Sequence, residues 1–197
     1  DRFAVLALNG HCYQELWHAA FLGAGVINPL NLRLAPKELA YIVVDSGSEV
    51  GFTDRTFAPL VAAARKEMGR DDPIRRVILI GDGADEVPHD DAYEDLLAAA
   101  RPVRRAEPEE TDPVVLMYTG GTTGLPKGVL LEHRAEILNL YHGAMTLPTL
   151  RIGTYLMQTP MFHAASMIGI LASSTHGGRV VFIPMFEPEG VLARIEE

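Results

Sequence analysis

The sequence carries a single cysteine, Cys12, and a single tryptophan, Trp17, in 197 residues. One thiol forms no internal disulfide and builds no cysteine-rich metal centre, and it suits a reducing, cytoplasmic setting. No apolar run approaches the ~18 residues of a membrane span. Positive charge is scarce: 17 Lys and Arg stand against 26 Asp and Glu, a formal net charge of -9. That sign repels a phosphate backbone and argues against nucleic acid as a partner. The deficit is local, because residues 81–112 hold 11 acids and 3 bases while the remainder is close to neutral. Within that stretch, GDGADEVPHDD (81–91) and RPVRRAEPEETDP (101–113) read as solvated surface loops. They lack the D-x-[DN]-x-[DN]-G order of a calcium site. Fixed-period repeats are absent. The histidines show no metal-ligand spacing either: His133 and His142 are nine residues apart, and His11, His18, His89 and His176 have no matched partner. No metal ligand is therefore assigned.

What is present is an alternation of short apolar runs with helical patterns. The runs cover 3–8, 50–53, 77–80, 114–118, 155–158 and 180–183; the helical patterns cover 12–22, 36–44, 57–68, 93–100, 134–145, 162–174 and a last stretch from Pro188. Continuous rather than alternating apolar runs are the mark of parallel strands covered on both faces. Pro36 suits a first helical turn and Gly177-Gly178 a helix stop. Tyr13 and Trp17, four apart on the first helix, read as core. The whole is βαβ grammar and predicts a layered α/β fold. The chain opens on Asp1 immediately before an apolar run and ends on the helical pattern VLARIEE, so we expect a piece of a longer chain.

The stretch YTGGTTGLPKGV (118–129) interrupts two apolar runs with glycines, paired hydroxyls and a cation. Glycines let backbone N–H groups wrap an anion. Thr122 and Thr123 add hydroxyl donors, and Lys127 adds a mobile positive charge. The Walker A pattern fails here: Pro126 stands before the lysine, Gly128 after it, and a strand rather than a helix follows. A glycine-rich connection without any ligand would explain the glycines alone.

The complete string Tyr118–Gly128 resembles the Y-T-[SG]-G-[ST]-T-G-x-P-K-G signature of the adenylate-forming superfamily of acyl-CoA synthetases, luciferases and peptide-synthetase adenylation domains, with Gly120 where serine is frequent. LGAGVINPLNLRLAPKELAYIVVDSGSEVGFTD (22–54) and TPMFHAASM (159–167) are similar to two further elements of that family, so the resemblance spans the chain. It implies an acyl-CoA synthetase-like N-terminal domain: a layered βαβ sheet subdomain over residues 1–146, and the incomplete start of a second α/β subdomain over 147–197. It implies two-step activation of a carboxylic acid, a fatty acid by the family's pattern, through ATP and Mg²⁺ to acyl-adenylate and then to coenzyme A. The implied phosphate contacts are Thr119, Gly120, Gly121, Thr122, Thr123, Gly124, Pro126 and Lys127, with Thr123, Lys127 and His163 in catalytic roles and His163 also at the adenylate. Phe162, Ala165, Ser166 and Met167 would border the acyl group, although packing against a sheet explains the same apolar pattern, and a capped core position explains the histidine.

The family's Y-G-x-T-E and T-G-D segments, its hinge and its C-terminal lysine do not occur in this sequence. The isolated chain is therefore expected to be inactive and to need the remaining domains of a parent protein. An aryl-CoA ligase, an amino-acid adenylation domain and a non-catalytic nucleotide-binding module are the alternatives.

Overall fold

A computed structural model describes residues 1–81, 87–104, 107–120, 124–146 and 153–196. Its centre is a seven-stranded sheet in the order β5-β4-β3-β1-β2-β6-β7. In sequence these are β1 (Arg2–Leu6), β2 (Val26–Pro29), β3 (Val50–Thr53), β4 (Arg76–Leu79), β5 (Asp91–Ala92), β6 (Pro113–Thr119) and β7 (Lys127–Glu132). All neighbours run parallel except β7, which folds back antiparallel on β6.

The central strand β1 shows why its apolar run is continuous. Successive side chains of a strand point to opposite faces. Phe3, Val5 and Ala7 join a cluster with Tyr13, Leu16 and Trp17 of α1 (His11–Phe21) on one face. Ala4 and Leu6 join a second cluster on the other face, with Leu39, Ile42 and Val43 of α2 (Pro36–Ser46) and Ala64 and Met68 of α3 (Ala58–Met68). Helix α2 is well signalled: Pro36 occupies its first turn, Glu38 accepts a hydrogen bond from the Ala35 N–H at 2.8 Å, and Gly47 closes it at φ 61. That left-handed closing position is glycine's natural place.

Beyond α4 (Tyr93–Ala99) and α5 (His133–Thr146), a parallel pair, β8 (Thr154–Met157) and β9 (Arg179–Phe182), is bridged by α6 (Ala164–Thr175), and α7 (Pro188–Glu196) follows. The division expected at residue 146 coincides with the end of α5, yet the apolar core runs across it: Met157, Met161, Met167 and Ile170 cluster with Trp17 and Val5.

The expected strands at 3–8, 77–80, 114–118, 155–158 and 180–183 each begin one residue earlier than the apolar pattern suggests. In all five the extra residue (Arg2, Arg76, Pro113, Thr154, Arg179) is exposed, so hydropathy registers only the buried part of the strand. Two strands had no sequence signal. β2 is four residues long and ends on Pro29, a residue that hides strand character. β5 lies in the acidic stretch expected to be a plain loop. There Asp90 accepts a hydrogen bond from the Val77 N–H at 2.7 Å, and Asp91 pairs with Arg76 at 2.5 Å. Residues 82–86 of that stretch fall outside the described ones.

Candidate phosphate-binding loop and the histidine element

The hairpin β6–β7 places the two ends of the Gly-Thr loop side by side. Tyr118 faces Gly128 and Thr119 faces Lys127 in the ladder, and the Thr119 hydroxyl donates to the Lys127 carbonyl at 3.4 Å. Lys127 is exposed at the head of β7 and has no ion-pair partner among the described residues. Gly121, Thr122 and Thr123 lie outside the described residues.

The glycines of this segment are not alike. Among the described residues, a Cβ on Gly120 or Gly124 would meet no atom within 4 Å, and neither residue has positive φ. Packing and backbone geometry therefore leave both positions free to carry side chains. Glycine at both positions would let a ligand approach the backbone N–H groups closely. At Gly128, in contrast, a Cβ would sit 3.0 Å from Leu116 Cδ1 and 3.2 Å from Tyr118 Cζ. This glycine makes room for the tyrosine ring across the hairpin. The Tyr118 hydroxyl in turn donates to Asp45 Oδ2 at 2.6 Å, tying the base of the loop to the last turn of α2. Burial, and then the carboxylate of Asp45, push the phenol well above its ordinary pKa.

His163 is the N-cap of α6, with extended backbone at φ -100 and ψ 142. Its Nδ1 accepts from the Ala165 N–H at 3.1 Å. In the neutral ring this puts the proton on Nε2, which leaves an N–H donor on an exposed side chain. The expected helix 162–174 thus begins after the histidine. Of the four residues expected to border an acyl group, Ala165 is exposed and Phe162 half-buried, whereas Ser166 and Met167 are buried. The Ser166 hydroxyl donates to the His163 carbonyl at 2.7 Å, and Met167 packs into the core beside Ile170.

The residue that holds this element was not foreseen. Asn9, buried after β1, donates from Nδ2 to the carbonyls of Thr159 at 3.0 Å and Ile183 at 3.1 Å, and more weakly to that of Met157 at 3.4 Å. Its Oδ1 accepts from the Met161 N–H at 2.8 Å, and its own N–H donates to the Pro184 carbonyl at 3.2 Å. One amide thus fastens the P-M-F-H segment and the ends of β8 and β9 to the central strand. Its partners lie about 150 residues downstream, so local spacing holds no trace of the arrangement.

The structure also gathers residues that spacing left apart. His11 and Cys12 at the start of α1 meet Glu94 of α4: Cys12 Sγ lies 3.3 Å from His11 Nε2 and 4.0 Å from Glu94 Oε1. Burial, then the charges of Glu15 and Glu94, push the thiol up.

A family model described as "AMP-binding enzyme" matches residues 1–197. Over 197 residues the chain is 32% identical to a long-chain-fatty-acid–CoA ligase, FadD13, of Mycobacterium tuberculosis, covering all of this chain and 37% of that protein. Over 164 residues it is 35% identical to a sulfoacetate–CoA ligase of Cupriavidus necator, covering 81% of this chain and 30% of that one. Among solved structures, the inhibitor-bound N-terminal domain of FACL13 from Mycobacterium tuberculosis superimposes with a TM-score of 0.85 at 31% identity, covering 99% of this chain and 47% of that one. The chain thus spans about a third of the length of the curated relatives it matches.

Proposed function

Since the chain belongs to the family of AMP-binding enzymes, we propose that it is the phosphate-gripping part of an acid–thiol ligase that activates a fatty acid in the cytoplasm. In this reading the acid's carboxylate attacks the α-phosphorus of ATP, forming acyl-adenylate and releasing pyrophosphate. The thiol of coenzyme A then attacks the acyl carbon and AMP leaves. The observation that carries the reading is the pair Gly120 and Gly124, whose open backbone sits between Thr119 and Lys127 with no steric reason to be glycine.

The N–H groups of residues 119–124, with the hydroxyls of Thr119, Thr122 and Thr123, donate to the β- and γ-phosphates. Lys127 offsets the charge that builds on pyrophosphate as it leaves. Such transfers depend mainly on fixed donors and placement rather than on covalent help from the protein. Pro126 has no N–H to offer and contributes only a fixed φ just before the lysine. The Nε2–H of His163 donates toward the adenylate or the acyl carboxylate, and Phe162 and Ala165 form the accessible border of the acyl site. Ser166 and Met167 support that border from beneath. Mg²⁺ travels with ATP as its counter-ion. The described loop residues bring no carboxylate to it.

Two subdomains, 1–146 and 147–197, and a longer parent chain complete the proposal. Leu130, Ile137, Leu138, Tyr141 and Met145 form exposed apolar surface on β7 and α5, which suits cover by the remaining domains. The test is ATP–pyrophosphate exchange by the longer protein over a panel of fatty, aromatic, amino and sulfonated acids, with the 197-residue chain as a control. Exchange that depends on a fatty acid and falls with Lys127→Ala is the expected result. Binding of ATP without exchange, whatever the acid, would turn the reading into a nucleotide-binding module. Exchange with sulfoacetate alone would refute the fatty-acid assignment.

A further inference from the structure

We propose that His11, Cys12 and Glu94 form a binding site for a zinc-like divalent cation, independent of the phosphate loop. One nitrogen, one sulfur and one oxygen donor, one from each residue, lie within 4.8 Å of one another. A tetrahedral zinc site with bonds of about 2.0–2.3 Å holds its donor atoms roughly 3.5 Å apart. The Sγ to Nε2 distance of 3.3 Å already matches that spacing, and the Sγ to Oε1 distance of 4.0 Å exceeds it by about half an ångström. The carboxylate belongs to an exposed side chain, so a small rotation closes the gap. The three residues come from two elements: His11 and Cys12 open α1, and Glu94 lies 82 positions on, in the first turn of α4.

The carboxylates near the thiol favour a cation. Glu15 adds a second carboxylate to the field around the thiol and is itself held by the Tyr93 hydroxyl at 2.8 Å. His11 and Cys12 line a crevice of about 410 Å³ together with Leu8, Asp54, Arg55 and Gly81. That crevice lies beyond the carboxyl ends of β1, β3 and β4. Strand order reverses at β1, which stands between β2 and β3, and open sheets of this kind leave ligand crevices at such points. The crevice gives an ion a path to a sulfur that is otherwise buried. On binding, the S–H bond of Cys12 breaks, a metal–sulfur bond forms, and the proton passes to the buffer. The mixed donor set suits zinc or cobalt rather than calcium or magnesium. Three protein donors leave the fourth position to water, and the bound ion clamps α4 to α1.

The 197-residue chain is titrated with Co²⁺ after treatment with a chelator. The expected result is a near-ultraviolet thiolate-to-cobalt band with tetrahedral visible bands, saturating at one equivalent and bleached by Zn²⁺. Cys12→Ser abolishes the charge-transfer band. His11→Ala and Glu94→Gln each weaken Co²⁺ binding at least about 10-fold. Both of these residues are exposed, so their variants keep the fold, which circular dichroism verifies. Absence of the charge-transfer band in the unmutated chain overturns the proposal. Binding that persists unchanged in His11→Ala and Glu94→Gln overturns it as well.

Discussion

Replacing Asn9 by alanine removes every side-chain bond between the central strand and the β8–β9 unit at that point. Met161 is 0% exposed, and its N–H loses the acceptor at 2.8 Å. Leaving one buried donor unpaired costs about 1–3 kcal/mol. The carbonyls of Thr159 and Ile183 each lose a donor, at 3.0 and 3.1 Å. The Met157 carbonyl keeps the Ile183 N–H at 3.1 Å and adds little. The expected loss for Asn9→Ala is therefore about 3 kcal/mol, the orphaned N–H plus smaller terms for two carbonyls that each lose one donor. In a chain of this length that lowers Tm by roughly 6–12 °C. Urea unfolding followed by circular dichroism measures the difference. Asn9→Asp sharpens the test, because it keeps the acceptor but turns an oxygen toward three carbonyls. Burial raises the folded-state pKa of that carboxyl, so its stability is greatest at pH values below the unfolded value of about 3.9 and is lost as pH rises through the folded one. A loss below about 1 kcal/mol for Asn9→Ala, or an N9D variant indifferent to pH, would refute the account of Asn9 as the fastening point.

Gly128→Ala forces a methyl group against Leu116 and Tyr118 at 3.0–3.2 Å and should cost about 1–3 kcal/mol of stability. Gly120→Ala should leave Tm unchanged, yet weaken ATP binding in the longer protein; equal stability losses for the two glycines would remove the distinction drawn between them. At His163, alanine deletes the cap on α6 and should cost about 1 kcal/mol, whereas serine restores the cap. An H163S variant with normal Tm and impaired acid-dependent exchange would separate the two roles, and full exchange would show that the imidazole only caps. Burial lowers the pKa of His18, against an opposing effect of Glu15, while Ser174 Oγ lies 2.7 Å from its Nε2. The folded chain therefore prefers the neutral ring: this stability is present above the unfolded value of about 6.5 and is lost as pH falls through the depressed one. His18→Gln should flatten the decline in stability below pH 6.5, and an unaltered slope in urea titrations would contradict the assignment.

Much of the site is written locally. Tyr118, Thr119, Gly120, Gly124 and Lys127 follow one another along the chain, and a hairpin needs only short-range pairing to set Thr119 beside Lys127. The two faces of β1 are local too, since alternation along one strand sends Phe3 and Val5 one way and Ala4 and Leu6 the other. The segment expected to border an acyl group was legible only as an apolar helical pattern. Whether Met167 looked toward a pocket or into the core depended on where Trp17 and Val5 stood, and no spacing within 159–167 contains that.

The sequence by itself determined the α/β grammar and the helix signal at Pro36, because these depend on contacts between residues a few positions apart. Tertiary structure alone decided that β2 enters between β1 and β6, that Asn9 fastens Thr159, Met161 and Ile183, and that Glu94 meets His11 and Cys12. Each of these joins segments separated by tens to more than a hundred residues. Such pairings are selected by the burial of the whole sheet and its two cores, to which any one segment contributes only its share.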